Sequence, residues 1–359
     1  MSAEALEALV ADASQLASDG RWDAAAGRWG EAAALSRAHG AHQSAAMCSE
    51  QEGECWRRAD HATHAEQALQ QALGQPEPPS DPVTTCARLA AVLAERGAGR
   101  RALAVGRQAV HMARQTGHGA LPAAVDTLLG LLQGFGRKED QRPLLEVLEQ
   151  HLGPASPAVA FRRGQLLRLD GRLVEADACL RGVEDALRGV PGAEAGVAGA
   201  SMERAEIGLL QGRTEGAVDA FTRAHALHRD AGRRALAWRC EVGRVRASVG
   251  VGLEPMAPGL DQAMAWASER GLALLEVDLR TARGLTRVQR DPDGARADLL
   301  EAARRAGEMG AGPRVGRIYL HLVAYLTADA RSEWRTLAEE GLADNVPLLA
   351  ELRQIDPSP

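Results

Sequence analysis

The chain has 359 residues, a formal net charge of −6 and a pI near 6.0, with 45% hydrophobic but only 3% aromatic residues. The acidic balance argues against nucleic-acid binding at the level of the whole chain. No run approaches the roughly 18 consecutive apolar residues of a transmembrane helix, and no sustained alternation of Val, Ile, Thr and Tyr suggests strands.

From the start, residues 2–40 read as two helices joined by a turn at 18–21, and the beginning is acidic and amphipathic, unlike a signal peptide. A second pair follows, turning at 59–61. Residues 76–82, PEPPSDP, hold four prolines in seven positions and are incompatible with helix interior. They divide the chain into N-terminal repeats (1–75), a Pro-rich linker or loop (76–82) and C-terminal repeats with a capping helix (83–359). Further turns are expected at 96–99, 134–136 and 170–172. A mobile loop is expected at 189–199, a longer turn at 250–258 and another turn at 290–294. The last unit covers 314–343, with a short final helix around 347–352.

The clearest stretch is 211–232, QGRTEGAVDAFTRAHALHRDAG. Ala217, Val218, Phe221, Ala224, Ala226 and Leu227 form one apolar stripe at helical spacing. Thr214 is the expected N-cap, Glu215 suits the positive end of the helix dipole, and Gly232 is the expected stop. A partner helix is expected over 201–210. Comparable glycine stops stand at Gly40, Gly117, Gly153, Gly192, Gly232, Gly271 and Gly310. Their period of about 39 residues fits two helices and their turns, repeated in about nine units. The fold expected is all-α, an α-α superhelix.

Motifs of chemistry are lacking. There is no GxxxxGK[ST], HExxH or GxSxG, and Lys138, the one lysine, follows no glycine-rich loop. His61/His64 and His225/His228 share helix faces, but no further metal ligands accompany them. Cys48, Cys55, Cys86, Cys179 and Cys240 are odd in number, lack CxxC spacing, and fit reduced thiols of a cytoplasmic protein. Trp29 and Trp56 fall at packing positions. No catalytic, cofactor or metal site is expected, and the chain is expected not to be an enzyme.

Four units carry small and bulky residues three apart on the first helix, then Ala and a bulky residue four apart on the second. They are Ala13/Leu16 with Ala25/Trp29, Gly53/Trp56 with Ala65/Leu69, Gly164/Leu167 with Ala176/Leu180, and Ala205/Gly208 with Ala217/Phe221. This pattern resembles the tetratricopeptide repeat (TPR), in the long-helix form of bacterial regulators; the other five units fit it less well, and the period exceeds the usual ~34 residues. Another α-solenoid is the alternative.

The resemblance implies a concave groove lined by the first helix of each hairpin. By position it nominates Glu50, Glu54, Arg57, Asp126, Gln133, Phe161, Gln165, Arg168, Met202, Glu206, Arg244, Asp278 and Thr281. Arg204, Arg239, Arg280 and Arg283 lie nearby, so an acidic peptide or protein segment is the expected partner, with no nucleic acid and no membrane. The chaperone-tail clamp of this family relies on Lys and Asn, of which this chain has one each, Lys138 and Asn345. The function implied is a protein-interaction scaffold. A ligand- or peptide-responsive regulator of a kinase, protease or transcription partner is the alternative.

Overall fold

A computed structural model describes residues 3–135, 138–250, 259–326 and 331–355. Those residues form nineteen α-helices and one short 3-10 helix, with no strand among them. In chain order the helices run two to each sequence repeat. The first three pairs are α1 (Ala3–Ser18) with α2 (Trp22–Ala38), α3 (His42–Arg58) with α4 (Ala62–Leu73), and α5 (Pro82–Glu95) with α6 (Gly99–Thr116). Next come α7 (Leu121–Phe135) with α8 (Gln141–Leu152), α9 (Pro157–Leu169) with α10 (Leu173–Leu187), and α11 (Glu194–Leu210) with α12 (Thr214–Asp230). The series ends with α13 (Arg234–Gly250) and α14 (Leu260–Glu269), α15 (Ala273–Arg287) and α16 (Pro292–Glu308), α17 (Gly312–Tyr325) and α18 (Arg331–Gly341), and a single α19 (Val346–Ile355).

Left-handed backbone marks the punctuation. All seven predicted stop glycines have φ between 62° and 81°, a region costly for a residue with a Cβ. At Gly232 the chain closes α12 as expected: its N–H donates to the Arg229 carbonyl and the next N–H, of Arg233, to His228. Details differ at the other end. Arg213, non-helical at φ −85° and ψ 60°, precedes α12, and no side chain caps the helix. Thr214 is therefore the first helical residue and not a cap. The partner helix α11 begins at Glu194, so half of the loop expected at 189–199 is helical. Of the expected turns, 134–135 end α7 and 251–258 lie outside the described residues. Asp81 caps α5 by accepting from the Thr84 N–H at 2.9 Å, and Asp291 caps α16 through the Gly294 N–H at 2.9 Å.

The hairpins close through the small-to-large pairs. A Cβ on Gly53 would sit 2.7 Å from Leu69, and one on Gly164 2.8 Å from Leu180. Ala205, Ala217 and Phe221 share one buried cluster, and Ala25, Leu16 and Trp29 another. Trp29 and Trp56 are half-buried against that cluster; Trp334 is the buried tryptophan, at 5% exposure. Gly284 repeats the device, its Cβ position 2.9 Å from Leu299, in a unit whose motif is weak by sequence.

The chain divides into two compact units, Met1–Leu131 with Glu269–Leu272, and Leu132–Ser268 with Ala273–Pro359. Within the first, α1 to α6 pack each on the next, and Gly106 on α6 lets Leu128 and Leu131 of α7 approach. Within the second, first helices touch first helices: α9 meets α11, α11 meets α13 and α13 meets α15. The last helix, α19, packs against both α17 and α9. The Lys138 N–H donates to Asp344 Oδ2 at 3.0 Å across 206 residues, and Val346 lies 3.4 Å from the Cβ position of Gly171. The second unit thus curls until its last helix meets its early ones, with the first helices on the inside.

Candidate functional site

In the first unit, the residues predicted for the groove form an ion-pair knot. Glu54 on α3 accepts from Arg57 at 2.7 and 2.9 Å and from Arg58 at 2.8 Å, and Arg88 of α5 approaches to 3.5 Å. Burial pulls the Glu54 carboxyl upward, but the three guanidinium groups outweigh it and hold it at about 2. Glu50 receives Arg88 Nη1 at 2.8 Å; there burial wins and its carboxyl is raised. Asp126 is half-buried on α7.

In the second unit, the inner side carries a longer network. Arg168 on α9, 6% exposed, holds Glu203 of α11 at 3.0 Å, and Gln165 donates to the same carboxylate at 2.8 Å. One turn along α11, Glu206 receives Arg246 of α13 through both terminal guanidinium nitrogens, at 2.7 and 3.2 Å. Arg317 of α17 reaches Glu206 at 3.7 Å. Arg314 of α17 holds Asp278 of α15 at 3.0 Å. Arg244 pairs with Glu241 on its own helix at 2.5 and 2.9 Å. Thr281 is buried and donates to the Val277 carbonyl, while Phe161 and Met202 pack into the clusters around Leu180 and Phe221. Gln133 is half-buried on α7.

The electrostatics are uneven across this network. Burial raises the Glu206 carboxyl, but Arg246 and Arg317 drive it well below the usual range. Arg317 is pushed down to about 10, first by burial and then by Arg246. His321, one turn further on α17, falls to about 3, by burial and then by the same two arginines. Glu351 on α19 is raised by burial against the pull of Arg246 and Arg317. Counted over the network, Arg168, Arg246, Arg314 and Arg317 face Glu203, Glu206, Asp278 and Glu351, so the inner side is locally neutral.

The other arginines nominated nearby are engaged too. Arg204 binds Asp177 at 2.9 Å and Glu184 at 2.6 Å, beside a cavity of about 200 Å³ also lined by Ser201, Arg213 and Arg223. Arg283 binds Asp261 and Asp298, each at 2.5 Å, and Arg280 stands 3.6 Å from Glu276.

Sequence reasoning missed Arg246, Arg317, His321 and Glu351. Arg246 was within reach of it, since Glu206 and Arg246 are 40 residues apart, one repeat. Arg317 and Glu351 meet the network by the curl of the unit, which no spacing records.

No protein-family model matches the chain, and no curated protein matches it. Among solved structures it is similar to a Rap protein complexed with competence and sporulation factor, at 17% identity over 77% of this chain and 81% of that one, with a TM-score of 0.49. It is also similar to the P58(IPK) TPR domain (12% identity, 96% and 98% coverage, TM-score 0.26) and to yeast Tom70 (10% identity, 98% and 96% coverage, TM-score 0.28). What decides the fold is the chain's own run of helical hairpins, closed by small-to-large pairs and left-handed glycines. The fold is TPR-like. Among the described residues of this TPR-like array, no group of three His, Cys, Asp or Glu is placed to hold a metal ion. None of their helices is long and apolar enough to cross a membrane.

Proposed function

We propose that the chain is a non-enzymatic binding scaffold that takes a protein segment on the inner side of its second unit. The observation behind this is the ion-pair network running along the first helices α9, α11, α13, α15 and α17. Apolar cross-helix packing would hold the stack as well as buried charge does, so a polar inner strip is better suited to recognition. Its balanced charge favours a partner segment of mixed charge over a wholly acidic one, because an acidic segment needs a surplus of arginine.

The test is a photo-crosslinking amino acid at Met202, with capture of partners in an extract of the native host and the same capture by Arg246→Glu/Arg317→Glu. The expected result is a discrete crosslinked partner lost in the double variant, while a circular-dichroism melt shows the variant still folded. A partner captured equally by the folded double variant would refute the placement. The regulatory reading, that occupancy alters the protein's action on a second partner, is favoured by contacts that span the unit, such as Lys138 to Asp344. A ligand inside the curl would bear on all of them at once.

A further inference from the structure

Two groups on the inner side are underused. Arg317 makes one ion pair, at 3.7 Å, to a carboxylate that Arg246 already holds at 2.7 and 3.2 Å. None of its N–H groups forms a hydrogen bond among the described residues, although a guanidinium carries five donors. Glu351, on α19, has an exposed side chain whose carboxyl is nonetheless partly desolvated; it has no ion pair among the described residues and stands within electrostatic reach of Arg246 and Arg317. Between them on α17, His321 and Tyr325 stack with ring centroids 6.0 Å apart and planes 21° from parallel. The His321 Nε2 and Arg246 Nε atoms are buried without partners.

The geometry points to a binding site between α11, α13, α17 and α19 for a compact zwitterion, a free amino acid or a dipeptide with unblocked ends. Its carboxylate would sit on Arg317 as a two-point acceptor. Its ammonium would donate to Glu351, and its side chain would lie against the His321–Tyr325 stack. Local neutrality sets the ligand's charge: a net anion or cation would leave one charge uncompensated among ion pairs that are already matched. Because Glu351 is on α19, the site has its fourth wall only while α19 is seated on α9 and α17, which ties ligand occupancy to the closure of the unit. The inference rests on the inner side being a recognition face and adds a small ligand to it.

Isothermal titration of the full chain with pools of free amino acids and of dipeptides tests it, alongside the same pools N-acetylated or C-amidated. The expected result is binding by at least one unblocked pool, weakened at least tenfold by either block. Arg317→Ala should abolish the preference for a free carboxylate, and Glu351→Gln the preference for a free amine. Hydrogen exchange should show α19 gaining protection with ligand in the native chain and not in Glu351→Gln. No binding by any unblocked pool, or equal binding by blocked and unblocked pools, overturns the site. Crosslinked protein partners at Met202 in that same case would leave the scaffold reading standing.

Discussion

His228 is 2% exposed on α12, and neither of its ring nitrogens has a hydrogen-bond partner. A buried polar group left unpaired costs about 1–3 kcal/mol, so His228→Leu should stabilise the protein by about 1 kcal/mol at neutral pH in urea melts. Burial, then Arg233, lowers its pKa to about 4, and burial lowers that of His321 to about 3. Both values lie below the unfolded value of about 6.5. As pH falls through 6.5, the unfolded chain takes up protons that the folded chain refuses. Stability therefore drops by up to about 1.4 kcal/mol per pH unit for each histidine until its folded pKa is reached. Urea melts between pH 7.5 and 5 should show this slope, to which His61, also lowered by burial, adds, and the slope should be shallower in His228→Leu. An unchanged slope would mean that His228 is accessible to protons in the fold. Glu54, held at about 2, acts in a separate window: its stabilisation is complete above about 4.5 and fades below it.

Helix pairs depend on glycine in two opposite ways. Gly316 of α17 and Gly341 of α18 cross backbone to backbone: a Cβ on Gly316 would lie 2.6 Å from the Gly341 carbonyl carbon. Backbone cannot rotate aside as a side chain does, so Gly316→Ala should cost about 2–3 kcal/mol, the upper end of overpacking. Gly182, inside α10, has nothing within 4 Å of its Cβ position. Gly182→Ala should raise stability by about 0.5–1 kcal/mol, since alanine is the better helix former. Paired thermal melts check both signs. The pairs Gly53/Leu69 and Gly164/Leu180 were legible in the sequence because partners 16 residues apart lie in one hairpin, where helix geometry alone brings them together. The backbone crossing at Gly316 was not, because its unit departs from the motif.

At the scale of the second unit, α19 secures the curl. Leu348 and Leu352 are 5% and 0% exposed in the cluster shared with α17 and α18. Leu352→Ala should cost about 2–5 kcal/mol. Because α19 also packs on α9, the loss should appear in hydrogen exchange as faster opening of both α9 and α17. Faster exchange in α17 alone would mean that the contact with α9 contributes little.

Residue patterns by themselves determined the all-helical class, the period of about 39 residues, the stops at the left-handed glycines and four of the packing pairs. These are local: each depends on atoms within one hairpin or its turn, where covalent geometry limits the choices. The uncapped start of α12 at Thr214 and the full length of α11 escaped the reading, since an uncapped start and an alanine-rich extension give no sharp signal. Only the tertiary structure decided that Arg168 is already paired with Glu203 of the next first helix, and that Arg317 and Glu351 come to the same inner face as Glu206 and Arg246. Glu206 and Arg317, and likewise Arg246 and Glu351, are more than a hundred positions apart. Their meetings follow from small rotations accumulated between successive hairpins, a sum of packing geometries that no single repeat contains.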